Sequence, residues 1–261
     1  MCLRKLFPNW FNKLDPVHHN KLALLFAIND YPGEANDLNG CLNDQIDLED
    51  KLKQFEGFHV KTFKNSEVTA KVFIKEVTEA ISLLVPGDVL LVHYSGHGTQ
   101  VKDLHGDESD GYDEALYLYN GIVIDDDIGD SLRNIPDGAT VVLMFDSCFA
   151  GTVTRGINPV KNRFAKVEKI KRGTKKRHRF APEEMKWIVF AACGEQQTSA
   201  DAWFSGRPNG AFSFYALRTL QPGITYNDWI KRIKIYLPSN NFDQIPSMEG
   251  NESLFDRPVF T

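Results

Sequence analysis

The sequence predicts an α/β fold in which a mainly parallel central β-sheet is flanked by helices on both faces. Three observations carry this. Short apolar runs recur along the chain, segments with helical spacing separate them, and no repeat of solenoid length is present. The 261 residues suffice for a substantial core, and 42 % hydrophobic with 25 % charged residues excludes a disordered or fibrous chain. No apolar run is long enough to cross a bilayer.

The elements follow in order. KLALLFAI (21–28) is a buried strand, uniformly apolar as strands covered on both faces are. CLNDQIDLEDKLKQF (41–55) spaces Leu42, Ile46, Leu48, Leu52 and Phe55 as a helix, and Gly57 marks a stop. FHVKTF (58–63) is a second strand. Ser66 or Thr69 caps the next helix, which runs through Leu84 until Pro86-Gly87 ends it. DVLLVHY (88–94), ATVVLMF (139–145) and WIVFAA (187–192) are three further strands. GAFSFYALRTL (210–220) and TYNDWIKRIKIYL (225–237) are helices. Right-handed crossovers make such strands parallel, and ligands bind at their carboxyl ends.

Two of those ends are chemically loaded. Tyr94-Ser95-Gly96-His97-Gly98 follows the third strand, and Phe145-Asp146-Ser147-Cys148-Phe149 follows the fourth. Glycines beside His97 permit a sharp turn and close approach of a substrate. An imidazole that meets a thiol across the crevice activates it as a nucleophile. Taken singly, a Cys after an apolar run is usually a small core residue, and His93, alternating with Val89 and Leu91, reads as a core histidine. The pair of Gly-flanked strand ends, His97 about 50 residues before Cys148, outweighs coincidence. Backbone N–H groups of Gly98 and Cys148 are the expected oxyanion donors. Asp146, two residues before the thiol, supplies a negative pocket that attracts a basic side chain and repels an acidic one. Asp44 joins it if the first helix starts at the same rim. Otherwise Asp44 is an ordinary acidic residue of a first helical turn.

HYSGHGTQ, DESDGYDEA, IDDDI and FDSCFAG resemble the motifs of metacaspases, caspase-like cysteine peptidases of family C14. Asn39-Gly40-Cys41-Leu42-Asn43-Asp44, AACGEQQTSADA (191–202), GAFSFYAL and QIPSMEG fit as well, so that the resemblance covers residues 20–261. It implies a caspase-like fold and peptide-bond hydrolysis by a His97–Cys148 dyad through a thioester, after Arg or Lys and not after Asp. It implies that Cys41 and Ser95 complete the pocket of Asp44 and Asp146. It further implies calcium, as an activator and not for the chemistry, on Asp113, Asp125 and Asp126. Carboxylate clusters suit that cation, although a solvated acidic loop is the plain alternative. Arg155 stands where many members have Asp, and Phe149 where His is common, which argues against a strong calcium requirement.

The divisions expected are an N-terminal extension (1–20) and one peptidase domain (21–261). Within the domain lie a large-subunit-like part (21–158), a basic linker loop (159–181) and a small-subunit-like part (182–261). Residues 161–179 hold ten Lys or Arg and one Glu, whereas residues 103–130 hold ten Asp or Glu and no Lys or Arg. The basic run has only Phe164 and Phe180 at its margins as stacking aromatics and no recognised nucleic-acid module, so no nucleic acid is expected. Instead it offers self-cleavage sites, or is a harmless spacer, and its charge is attracted to the acidic body. Cys2, Cys41, Cys148 and Cys193 are scattered singly, with no metal-ligand spacing. Free thiols and the lack of a secretory signal pattern place the expected protein in the cytoplasm. Partners are protein or peptide substrates with a basic residue before the cut, and the chain is expected to be a monomer without a transmembrane segment. The rival reading is a catalytically weak or inactive scaffold that kept the fold.

Overall fold

A computed structural model describes residues 20–102, 111–149, 161–166, 184–194, 197, 199–239 and 241–261. The N-terminal extension, Arg155 and most of the basic linker lie outside the described residues.

The centre is a six-stranded sheet. Its strands are β1 (Lys21–Ala27), β2 (Phe58–Lys64), β3 (Val89–Ser95), β7 (Thr140–Asp146), β9 (Trp187–Ala191) and β12 (Ser247–Gly250). Their spatial order is β12-β9-β7-β3-β1-β2, and all pairs are parallel except β12 with β9. Helices α1 (Cys41–Leu52), α4 (Ala211–Thr219) and α5 (Tyr226–Ile233) cover one face, and α2 (Ala70–Leu83) and α3 (Asp125–Leu132) the other.

Side-chain alternation builds two cores from one run of strands. Leu22, Leu24 and Phe26 of β1, Leu90 and Val92 of β3, and Val141 and Leu143 of β7 pack with Phe73, Val77 and Leu132. The intervening Ala23, Leu25, Leu91, Val142 and Met144 pack with Leu48, Phe212, Trp229 and Ile230. Strands sealed on both faces explain the uniformly apolar runs.

Of the two candidate caps for α2 it is Thr69 that is used, accepting from the Val72 N–H at 3.2 Å. Two boundaries differ from expectation. Helix α1 ends at Leu52, and Gly57 instead makes the positive-φ turn into β2. Helix α5 ends at Ile233, short of Leu237.

Two three-stranded sheets had no sequence expectation. One joins β4 (Gly98–Lys102), β5 (Tyr112–Leu118) and β6 (Gly121–Ile124). The other joins β10 (Ala200–Phe204), β11 (Arg207–Gly210) and β8 (Lys161–Asn162). The start of the expected linker loop is therefore a strand. IDDDI is also ordered, with three Asp in the first turn of α3 where the helix dipole favours them. Among the described residues no helix is long and apolar enough to cross a membrane.

Candidate active site

Register alone brings Ser95 and Asp146 together, since they are direct partners at the carboxyl ends of β3 and β7. Beyond Ser95 the chain turns through Gly96-His97-Gly98 into β4. A Cβ on Gly96 would strike the hydroxyls of Tyr94 and Tyr31, and one on Gly98 would strike the Cys148 carbonyl. The turn therefore needs glycine for close approach, as the sequence suggests.

His97 is held from several sides. Its N–H donates to the Tyr31 hydroxyl (2.8 Å), and its carbonyl lies 2.8 Å from the Tyr94 hydroxyl. The imidazole packs against the Tyr31 ring at 4.8 Å between centroids, with Nε2 2.7 Å from the Asn36 carbonyl. A carbonyl only accepts, so Nε2 carries the proton and Nδ1 presents a lone pair. Nδ1 is buried and has no partner among the described residues. Burial holds the imidazole pKa down to about 4, so the ring is neutral at pH 7. Asn36 thus orients the ring through a backbone atom. His93, by contrast, is fully buried in the sheet and likewise held neutral by burial, near 4.

Cys148 is fully buried, and burial raises its thiol pKa well above the usual value. Its Sγ lies 3.2 Å from the Ser199 carbonyl, to which it donates, and it accepts the Ser199 N–H. Neither side chain bonds to the other here: the thiol faces Ser199 and the free lone pair of His97 is unengaged. Cys193 lies alongside, adding to the upward shift of the Cys148 thiol.

The chain's own residues 161–166 lie across this site. Asn162 pairs antiparallel with Ala200 and Lys161 with Asp201, and Phe164 forms a parallel bridge with Gly98. Between them Arg163 is completely buried. Its carbonyl accepts from the Gly98 N–H (2.8 Å) and the Cys148 N–H (3.1 Å), and its own N–H donates to the Ser199 carbonyl (3.2 Å).

The guanidinium ends in a pocket of three carboxylates. Nη2 donates to Asp44 (2.8 Å) and Asp201 (3.2 Å); Nη1 donates to the Ser95 hydroxyl (2.8 Å) and the Asp146 carbonyl (3.1 Å), with Asp146 Oδ1 at 3.2 Å. Other donors fix each acid. Asp44 accepts from Asn209 Nδ2 (2.9 Å) and the Gly210 N–H (3.0 Å). Asp146 accepts from the Ser199 hydroxyl (2.6 Å) and the Ser213 N–H (2.8 Å). Asp201 accepts from the N–H groups of Asn39 (2.8 Å) and Gly40 (2.9 Å). Helix α1 begins at Cys41 and so brings Asp44 to the rim. Cys41 is buried beside this cluster, where burial raises its thiol pKa while Arg163 opposes the rise. Gly210 leaves the pocket its room, since a Cβ there would meet both the Asp146 carboxylate and Arg163.

The structure thus gathers Cys41, Asp44, Ser95, His97, Gly98, Asp146 and Cys148 at one rim. Asp201, Ser199, Asn209 and Gly210 were not singled out from sequence. For Asp201 a signal existed, in the stretch AACGEQQTSADA.

Asp113, Asp125 and Asp126 lie elsewhere, on β5 and α3. Asp113 and Asp126 are buried; the Asp125 side chain reaches the surface, yet its carboxyl is raised to about 8, first by burial and then by the neighbouring carboxylates of Asp126, Glu114 and Asp113. Asp125 and Asp126 rim a cavity of about 550 Å³ with Phe149, Met185 and Trp187. Among the described residues no group of three or more His, Cys, Asp or Glu converges to hold a metal ion. The rest of the acidic stretch, residues 103–110, lies outside the described residues, and no chemical step is derived through a cation.

The caspase domain family of peptidases, C14, matches residues 20–255. Metacaspase-1 of Schizosaccharomyces pombe is 31 % identical over 89 % of this chain and 67 % of its own length. Metacaspase-1 of Candida glabrata is 28 % identical over 89 % and 73 %. A solved structure from Geobacter sulfurreducens superposes with a TM-score of 0.72 at 25 % identity, covering 93 % of this chain and 98 % of that one. The crystal structure of caspase-1 from Spodoptera frugiperda gives 0.63 at 16 % identity over 89 % and 86 %, a likeness of fold alone. A family match over nearly the whole chain, on a fold with a thiol and an imidazole at adjacent strand ends, makes this chain a member of the caspase-domain peptidase family, a caspase-like cysteine peptidase of metacaspase type.

Proposed function

We propose that the chain is an endopeptidase that cuts after Arg or Lys through Cys148 and His97, and that its own Arg163–Phe164 bond is its first substrate. One observation carries this reading. The Arg163 carbonyl accepts from both expected oxyanion donors while its guanidinium sits on three carboxylates. Residue 163 lies where the residue before a scissile bond, P1, would lie.

The chemistry follows from the groups present. The Cys148 thiol turns from the Ser199 carbonyl to His97 Nδ1, which takes the proton as Sγ attacks the Arg163 carbonyl carbon. The negative oxygen keeps its bonds to Gly98 and Cys148 N–H, which strengthen as charge develops. The C–N bond breaks as Nδ1–H protonates the Phe164 nitrogen. Now neutral again, His97 takes a proton from water, which attacks the thioester, and the returned proton frees the thiol. Because the thiol pKa is raised and the imidazole pKa lowered, the resting pair is neutral and the proton moves only during attack. Calcium has no part in these steps. The ammonium of Lys carries the same charge into the pocket, whereas Asp would add a fourth carboxylate.

Purified wild type and Cys148→Ala are incubated side by side, and their termini mapped by mass spectrometry. New ends at Arg163 and Phe164 in wild type alone are expected. A wild-type chain that stays intact at this bond, yet hydrolyses Arg reporter peptides, would remove self-processing from the proposal. One that cleaves neither favours the inactive scaffold, in which the same contacts serve as a permanent plug.

The pocket also sets a pH dependence. Burial raises the Asp44 carboxyl to about 7, even with the Arg163 guanidinium opposing the rise. An incoming basic side chain favours the ionised form, so its binding expels a proton. With a guanidinium in the pocket the value is about 7 and without one it is higher, so affinity for Arg peptides should rise by up to about tenfold per pH unit above about 7 and level off below it. A KM for Arg reporters that is flat from pH 5.5 to 8.5 would contradict this coupling.

A further inference from the structure

We propose that the peptidase also selects its substrates on the far side of the cut, requiring at the second residue after it, P2′, a free backbone N–H and a small side chain. The inference rests on the reading of Arg163 as P1.

Arg163, Phe164 and Ala165 then occupy P1, P1′ and P2′. The Ala165 N–H donates to the Gly98 carbonyl at 2.9 Å, while the Gly98 N–H donates to the Arg163 carbonyl at 2.8 Å. One glycine is therefore clamped from both sides of the scissile bond. Its amide plane carries the oxyanion donor, and the neighbouring carbonyl of the same residue reads P2′. The Phe164–Gly98 parallel bridge is the backbone signature of this clamp. Gly98 has little freedom to find another partner, since its Cα faces the Cys148 carbonyl with no room for a Cβ.

The burial pattern supplies the second half. Lys161 and Lys166 are exposed and Phe164 is half-buried, but Ala165 is only 2 % exposed. A methyl group is thus enclosed where its neighbours on both sides have room. Proline at this position lacks the N–H, and a large side chain does not fit the enclosure without displacing the strand. Because the P2′ bond and the oxyanion donor share Gly98, losing the first loosens the second. The penalty should therefore fall on kcat as well as KM.

The test uses the full-length chain and quenched peptides Lys-Asn-Arg-Phe-Xaa-Lys. Xaa is Ala, N-methyl-Ala, Pro or Trp, with a further peptide N-methylated at the final Lys as a steric and solubility control. For N-methyl-Ala and Pro, kcat/KM is expected to fall about tenfold or more, the loss of one hydrogen bond aimed at a reacting centre, with kcat itself reduced. Trp should fall at least as far, and the control peptide should match Ala. If the Ala peptide is cut after Arg and the N-methyl-Ala, Pro and Trp peptides are cut equally well, the P2′ proposal is overturned while the Arg reading stands. If the Ala peptide is not cut after Arg at all, the reading on which it rests is what fails, and the proposal falls with it.

Discussion

Cys148→Ala is expected to lower hydrolysis of Arg reporter peptides by about 10⁴-fold or more, with the protein still folded. The size follows from the proposed mechanism, in which no other group forms the thioester. The intact fold follows from the local structure. The substitution removes only Sγ, whose partners are the Ser199 N–H and carbonyl, and the Ala that replaces it is still small and apolar. Loss of those two contacts costs about 1–3 kcal/mol, a modest shift in Tm. His97→Ala should reach a similar floor, and the double variant should fall little further, because thiol and imidazole act as one unit. Asn36 adds a check that separates positioning from structure. Its contribution is a backbone carbonyl, so Asn36→Ala should leave activity nearly unchanged, whereas a role for the Asn36 side chain would make that variant slow. Wild-type turnover in Cys148→Ala would sink the dyad assignment outright.

How much of this was legible in the sequence varies with the physical origin of each part. The parallel sheet was legible because strands covered on both faces must be apolar throughout, as Leu22–Ala27 and Val141–Phe145 are. His97, Cys148 and Asp146 were legible because polar residues directly follow such runs. The short sheets were not. GTQVK is only five residues long and RPNG has no β-branched residue, so neither carries a sustained strand pattern, and their pairing is set by neighbours far along the chain. Asp201 reaches the site on β10 and Ser199 directly before it, and their place there is fixed only when β10 packs beside the strand ends. Asn36 acts through its carbonyl, which every residue possesses, so no side-chain type announces it. Arg163 was one of ten basic residues in its run. What singles it out is the register of β8 on β10, Asn162 opposite Ala200, and register is not written in charge.

That register sets up the second large effect, on stability. In the inactive Cys148→Ala background the chain stays uncut, and Arg163→Ala removes the cation from three fully buried carboxylates. Asp44, Asp146 and Asp201 would then face one another with only Ser95, Ser199, Asn209 and backbone N–H groups to satisfy them. Breaking a buried ion cluster by removing one partner typically costs about 3–5 kcal/mol, which is much of the stability of an ordinary domain. The sign with pH is opposite to that of a usual salt bridge. Asp44 already has its pKa raised from 3.8 to about 7 with the guanidinium in place, and without it the value rises further. A carboxyl whose folded pKa exceeds its unfolded value binds more protons when folded, so stability is kept at low pH and lost as pH rises toward the folded value. The deficit of Arg163→Ala relative to its parent should therefore be largest near pH 8 and shrink toward pH 5, in urea unfolding followed at both values. Arg163→Lys should recover part of the loss, because the charge returns without the two-pronged geometry. A deficit that is equal at both pH values would show that the cost lies in lost packing of the strand. No deficit at either would mean that water fills the vacated pocket as well as the guanidinium does, and that Arg163 is held there by its backbone alone.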